Sequence, residues 1–322
     1  MGRMSVLGGA VALALGGGAG AQPTATIRPE VRVHIETARA AGADQFGFRF
    51  CDAAMPEGLR PKRPTLDEVR ALAGIPGDLQ APARVFDNLY YLGIRKVTAW
   101  AINTPDGIIL LDALDNRAEA ESQIEGGLRK LGLDPARIRY IVIAHGHGDH
   151  YGGARYLAEK YHARVLMSDA DWRFMAANAS PRADPPPVRD MTVADGQKLT
   201  LGGETVTLYL TPGHTPGTVS MVFPVMDRGR PHVAMLWGGT GAADLVAYAR
   251  SADRFLGVVG AARADVALSN HPEIDGVLTT IAALQRRGPN DPNPFVSGAD
   301  GPRRFMTVFA GCTKARLAAG AG

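Results

Sequence analysis

Residues Ala144–Gly153 read AHGHGDHYGG, which places His145, His147, Asp149 and His150 within six consecutive positions of a chain that has eight histidines in all. Three imidazoles and a carboxylate packed this closely would repel or desolvate one another if they were merely buried. Their nitrogens and oxygens are, by contrast, the donor atoms that a transition metal takes. Gly146 lets His145 and His147 turn toward one point. Gly148 lets the backbone bend again, so that Asp149 and His150 converge on a second point. Neither pair completes a site, because a catalytic zinc commonly takes three protein ligands and keeps a position for water. Two later stretches offer the missing ligands: His214 in LTPGHTPGT and His271 in LSNHPEIDG. A first ion would be held by His145, His147 and His214, and a second by Asp149, His150 and His271. Imidazole with carboxylate and no thiolate suits zinc, with iron and manganese chemically compatible, so two zinc ions are the expected cofactor. The remaining histidines His34, His162 and His232 show no partner nearby and read as ordinary.

These ligands need elements that end beside one another. IRYIVIA at 138–144 reads as a short apolar strand running into the cluster, and GGARYLAEKYH at 152–162 as the helix after it. His214 follows KLTLGGETVTLYL, two alternating runs joined across Gly202-Gly203 as a hairpin. His271 follows the apolar run DVALS. Further strands are expected in VFDNLYYLG, KVTAWAINT and IILLD, the last ending at Asp112 after the PDG turn. Others are expected in ARVLMS, TVSMVFPV and HVAMLWGGT. Helices are expected in NRAEAESQIEGGLRKLGL, with Ile124, Leu128 and Leu131 on one face, and in the two segments 275–287 and 302–319. Strands and helices alternate in two blocks, which argues for α/β layers. The Pro-rich stretches 178–190 and 288–302 are long loops of the kind that serve as lids or binding loops.

Net charge is +3 over 322 residues with scattered basic positions, which disfavours a nucleic-acid partner. Hydrophobic content of 46% with 21% charged residues describes a globular chain with a sizeable core. No stretch is a convincing spanning helix, so stable membrane insertion is not expected; a small-molecule substrate is the expected partner. Arg3, the apolar run Val6–Leu15 and the small residues Ala19–Ala21 have the layout of a signal peptide over 1–21, cleaved after Ala21. A periplasmic or secreted location is then expected. Residues 22–84 read as an irregular N-terminal extension with a helix at Thr65–Ala73, and 85–322 as the main domain. Cys51 and Cys312 form no CxxC pair. They either make one disulfide, tying the extension to the C-terminal helix, or remain two separately buried thiols.

HGHGDH, followed by TPGHTPG and SNHP, resembles the motif set of the metallo-β-lactamase superfamily from about Val85 to the C-terminus. The resemblance implies a four-layer αββα sandwich and the same two ligand sets reached from spacing. It implies that Asp112 is a buried aspartate orienting a ligand. Lactonases, glyoxalase-type thioesterases and many nucleases of this superfamily carry a metal-bridging aspartate after the strand that follows the His214-type turn, and two lactamase subclasses carry a cysteine there. This chain has Gly239 and Thr240 at that place, with Asp244 a few residues late. It therefore looks most like the third subclass of metallo-β-lactamases. The implied mechanism is attack on a β-lactam amide by a hydroxide shared between the metals, with Asp149 orienting it. The alternative is an exported lactonase or esterase, favoured if Asp244 bridges the metals. A non-catalytic metal-binding protein is a third possibility, disfavoured by the complete set of six ligands. Tyr151, Trp172, Trp237 and Asn270 are weaker candidates for the cleft wall.

Overall fold

The strand Gly107–Leu111 shows how the layers arise in the computed structural model, which describes residues 27–42, 51, 80–179 and 184–320. Ile109 and Leu111 face the core between two sheets, while Ile108 and Leu110 face helices on the outer side, as a period of two requires. Both faces are covered, so the run is apolar throughout.

The first sheet has seven strands in the order β1-β2-β3-β4-β5-β6-β7. These are Ala83–Arg84, Leu89–Tyr91, Trp100–Thr104, Gly107–Leu111, Ile138–Val142, Arg164–Ser168 and Met191–Val193. β1 to β4 pair antiparallel and β4 to β7 parallel. The second sheet has five strands in the order β12-β11-β10-β9-β8. In chain order these are β8 Gln197–Leu201, β9 Glu204–Leu210, β10 Val219–Asp227, β11 Arg230–Trp237 and β12 Val266–Ser269. Only β11 and β12 pair parallel in this sheet. The β8–β9 turn is the expected Gly-Gly hairpin, with φ of 54° and 86° at Gly202 and Gly203, where a side chain would be strained.

Helix α1 spans Pro29–Ala40. Helix α2 begins at Arg117–Glu119, widens through a π-turn at Ala120–Glu125 and ends with Gly126–Lys130. The others are α3 Gly148–Tyr151, α4 Ala154–Tyr161, α5 Asp169–Ala177, α6 Leu245–Ala261, α7 Pro272–Asp275, α8 Val277–Gln285 and α9 Asp300–Ala319. Ile124, Leu128, Leu157 and Trp172 cover the outer face of the first sheet. Phe255, Phe305, Phe309, Val31 and Ile35 cover Met235 and Trp237 on the outer face of the second. The result is the helix–sheet–sheet–helix sandwich expected.

The N-terminal extension differs from the expected irregular leader. Val31, Ile35 and Ala38 recur at helical spacing and bury α1 against the second sheet's helical layer. Cys51 and Cys312 are joined as a disulfide, so the separate-thiol alternative does not hold. The expected signal peptide and the helix at 65–73 lie outside the described residues.

Candidate metal centre

His145, His147, His214 and His271 follow strand ends, and Asp149 and His150 sit in the short helix α3. β5 stops at Val142, and the chain crosses His145 and His147 before α3 begins at Gly148. β9 and β10 flank the turn that carries His214, and β12 ends two residues before His271. The His214 turn is held tight by Gly213, whose φ of 133° and approach to the Tyr248 backbone leave no room for a Cβ.

In the first set, the inner atoms face one another. His145 Nε2 lies 3.0 Å from His214 Nε2, and His147 Nδ1 lies 3.1 Å from the same atom. The outer nitrogens are already engaged. His145 Nδ1 donates to the Gly238 carbonyl at 2.7 Å, and His214 Nδ1 to the Gly241 carbonyl at 2.5 Å. With those protons outside, the two Nε2 atoms present bare lone pairs to each other, an arrangement that only a shared cation makes favourable. A tetrahedral zinc with bonds of 2.0–2.1 Å separates its ligand nitrogens by roughly 3.3 Å, close to the spacing here. Burial and neighbouring imidazoles hold His145 well below the ordinary histidine range, and hold His214 down to about 3. His147 is lowered for the same reasons, burial first. Neutral rings with aligned lone pairs fit zinc.

The second set is charged. His150 is fully buried, donates through Nδ1 to Asp112 Oδ2 at 2.8 Å, and has its Nε2 3.5 Å from Asp149 Oδ2 with no hydrogen-bond partner. Burial opposes its protonation, but Asp149 and Asp112 outweigh burial and raise it to about 10. Burial likewise works against ionised Asp149, yet His150 and His271 hold its carboxyl well below the usual range. Asp112 has φ of 61°, an uncommon conformation for a side-chain-bearing residue. That geometry lets Oδ1 accept the Ala144 N–H at 2.7 Å while Oδ2 holds His150, so Asp112 orients a candidate ligand as expected.

The close groupings differ in one respect from the expected sets. His145, His147 and His214 bring ligand atoms within 4.8 Å of one another, but Asp149 and His150 are grouped in this way with His145. His271 stands beside them, its ring centroid 5.1 Å from that of His150 and its Nδ1 bonded to the Lys96 carbonyl at 2.7 Å.

A cavity of about 1070 Å³ opens beside His147 and His214, walled by Phe174, Pro216, Ala247 and Ile274. The proposed wall residues are elsewhere. Tyr151, Trp172, Trp237 and Asn270 are buried in packing, with Trp172 donating to the Met191 carbonyl and Trp237 to the Tyr248 hydroxyl. Asn270 instead donates to the Gly238 carbonyl that also holds His145. Asp244 borders the cavity, but its carboxylate caps α6 by accepting the Ala247 N–H. No described residue of the long loops 178–190 and 288–302 lines this cavity. His232 does have a partner: it lies 2.6 Å from Asp265, far along the sequence.

One residue escapes motif reasoning. Asp171, fully buried, accepts the Gly146 N–H at 2.9 Å, the Thr215 hydroxyl at 2.6 Å and the Gly217 N–H at 2.8 Å. It thus ties the loop of His145 and His147 to the turn of His214. Its only sequence signal is Ser168-x-x-Asp171, a helix-start pattern that Ser168 completes by accepting the Asp171 N–H.

The profile described as Metallo-beta-lactamase superfamily matches residues 92–227. A metallo-β-lactamase motif mutant from Cronobacter sakazakii is 30% identical, with 76% of this chain and 99% of that chain covered and a TM-score of 0.63. BJP-1, a subclass B3 metallo-β-lactamase of Bradyrhizobium japonicum, shares the fold with a TM-score of 0.62 at 24% identity, covering 75% of this chain and 96% of that one. Among curated relatives, the hydroxyacylglutathione hydrolase of Acidiphilium cryptum is 32% identical over 39% of this chain and 44% of its own length. The chain spans between 27% and 61% of the length of eight curated relatives that it matches.

Proposed function

We propose that this chain, which belongs to the metallo-β-lactamase superfamily and is a metal-dependent hydrolase, uses two zinc ions to open β-lactam amides. The observation that carries the reading is the backbone after β11. Gly239 and Thr240 occupy the place where a bridging carboxylate is expected in lactonases, and Asp244 is engaged as the α6 cap.

When bound, zinc supplies a nucleophile at neutral pH and polarises the scissile carbonyl. The protein's own groups do the rest. His145, His147 and His214 would hold one ion, and Asp149, His150 and His271 the other. Asp149, ionised and partly exposed, would accept a hydrogen bond from the attacking water at a carboxylate oxygen and so set its direction. Asp112 keeps the His150 ring in place, and Phe174 and Ile274 give the substrate apolar surface that excludes water.

Export is part of the proposal, with 1–21 as signal peptide, 22–84 as an extension and 85–322 as the hydrolase domain. The Cys51–Cys312 disulfide supports a periplasmic or secreted location, since such bonds persist in oxidising compartments. The mature protein from a periplasmic fraction should begin at Gln22; an unprocessed N-terminus would remove this part.

The second reading is an exported lactonase or esterase, favoured by the curated hydroxyacylglutathione hydrolases among the relatives. Hydrolysis by zinc-loaded protein separates the two. The panel holds a chromogenic cephalosporin, a penicillin, a carbapenem, an acyl-homoserine lactone and an aryl ester, with His147→Ala as control. β-Lactam turnover that the variant loses supports the first reading. Turnover of lactone or ester alone replaces it with the second.

A further inference from the structure

The cavity beside the histidines has a second charged group on its wall, far from the motif in sequence. Arg316, in the last turn of α9, borders it. The side chain is half-buried, and its Nε is sealed from water with no hydrogen-bond partner. Two other arginines are paired with carboxylates: Arg287 with Asp227 at 2.7 Å and Arg254 with Asp195 at 2.7 Å. Among the described residues, no carboxylate forms such a pair with Arg316. The C-terminal end of a helix favours a cation, which explains the sign of the charge there. It does not explain why the guanidinium borders an apolar cavity with no carboxylate partner among the described residues.

The position relative to the histidines follows from Tyr248. Arg316 is close enough to act electrostatically on Tyr248. The Tyr248 hydroxyl donates to the Gly239 carbonyl at 2.8 Å, and its backbone packs on Gly213, next to His214. Arg316 therefore stands on the His214 side of the cavity. Asp244 and Glu273 also border the space, but both are exposed and solvated, and Asp244 is held as a helix cap. Of the three charged groups, Arg316 is the least exposed.

We propose that Arg316 is a specificity-determining residue that receives a carboxylate of the substrate, so that the cavity takes an apolar molecule bearing an anionic end. A planar guanidinium with several donors matches a carboxylate in two hydrogen bonds, and the partly dry wall strengthens them. The inference rests on the cavity being the substrate site of the hydrolase described above. It also connects the N-terminal extension to the cavity, because the Cys51–Cys312 disulfide lies one helical turn before Arg316 and pins the helix that presents it.

The proposal is tested by calorimetric titration of zinc-loaded protein with 4-phenylbutyrate and its neutral amide, 4-phenylbutyramide. Wild type, Arg316→Gln and Arg316→Lys are compared at matched zinc content. Phenylbutyrate is expected to bind Arg316→Gln about tenfold or more weakly than wild type, with Arg316→Lys between them and the amide binding all three alike. Equal phenylbutyrate affinity in wild type and Arg316→Gln would overturn the proposal. So would a parallel loss of acid and amide binding with a fall in Tm, which would make Arg316 structural only. The readout needs no turnover. A protein that fails to open β-lactams but discriminates the acid through Arg316 loses the lactamase reading and keeps this one. One that opens β-lactams without that discrimination does the reverse.

Discussion

His145, His147 and His214 meet as neutral rings, whereas a few ångströms away His150 lies between two carboxylates. In the first half, backbone carbonyls of Gly238 and Gly241 take the outer protons. In the second, Asp112 takes the outer proton of His150 and Asp149 stands at its inner nitrogen. A carbonyl fixes a tautomer without adding charge. A carboxylate fixes it and also attracts a proton, so the second half holds a proton that a metal must displace. Each half also has its own buried aspartate behind it, Asp171 for the first and Asp112 for the second.

Removing an inner ligand should have the largest effect. His147→Ala is expected to lower kcat/KM on any hydrolysed substrate by on the order of 10³ or more and to remove one equivalent of zinc by elemental analysis. Retention of both ions would show that the first half does not depend on His147. Asp112→Asn should come next, because the amide can no longer hold the His150 proton as a charged partner. Zinc affinity of the second half should weaken about 10–100-fold, with the first equivalent unaffected. If both equivalents weaken equally, the halves are one electrostatic unit and the comparison fails.

Protons sharpen the same contrast. His214 is held down to about 3 and His150 up to about 10. Metal-free His150 is therefore protonated at pH 7 and must release that proton, while the first set has none to release. Affinity of the second half should climb about tenfold per pH unit between pH 6 and 9, and that of the first should stay flat. Calorimetry in buffers of different ionisation enthalpy counts the protons; release on filling the first half would contradict the assignment. The smallest effect is expected from Asp171→Asn. It weakens the charge-assisted bonds that join the Gly146 and Thr215–Gly217 backbones, at a cost of about 1–3 kcal/mol. Thermal unfolding and zinc titration should show a lowered Tm and a weaker first half, with the second half unchanged.

Much of this was legible along the chain because it depends on local rules. Glycines between histidines, strands that end shortly before His145 and His271, and the Gly202-Gly203 hairpin all follow from short-range sterics and a period of two. Helix α6 is not among the expected helices, although Leu245, Tyr248, Ala252, Phe255 and Val259 share one face and Arg250, Asp253 and Arg254 lie in solvent. Helix α1 hid in an Ala- and Pro-rich stretch, since three apolar residues make a weak stripe until another helix covers them.

The sequence by itself determined which atoms can ligate and that they follow strand ends or open the next helix, because residue type and backbone stiffness are carried locally. Tertiary structure alone decided how those ends meet. Sheet pairing brings His214 to 3.0 Å from His145 across 69 residues, groups His145 with Asp149 and His150, and sets His271 to one side. Packing also decided that Trp237 and Tyr151 are core, that Asp171 joins two loops, and that Arg316 reaches the cavity wall. Each of these depends on where an apolar face finds its cover, and that is a property of the whole chain.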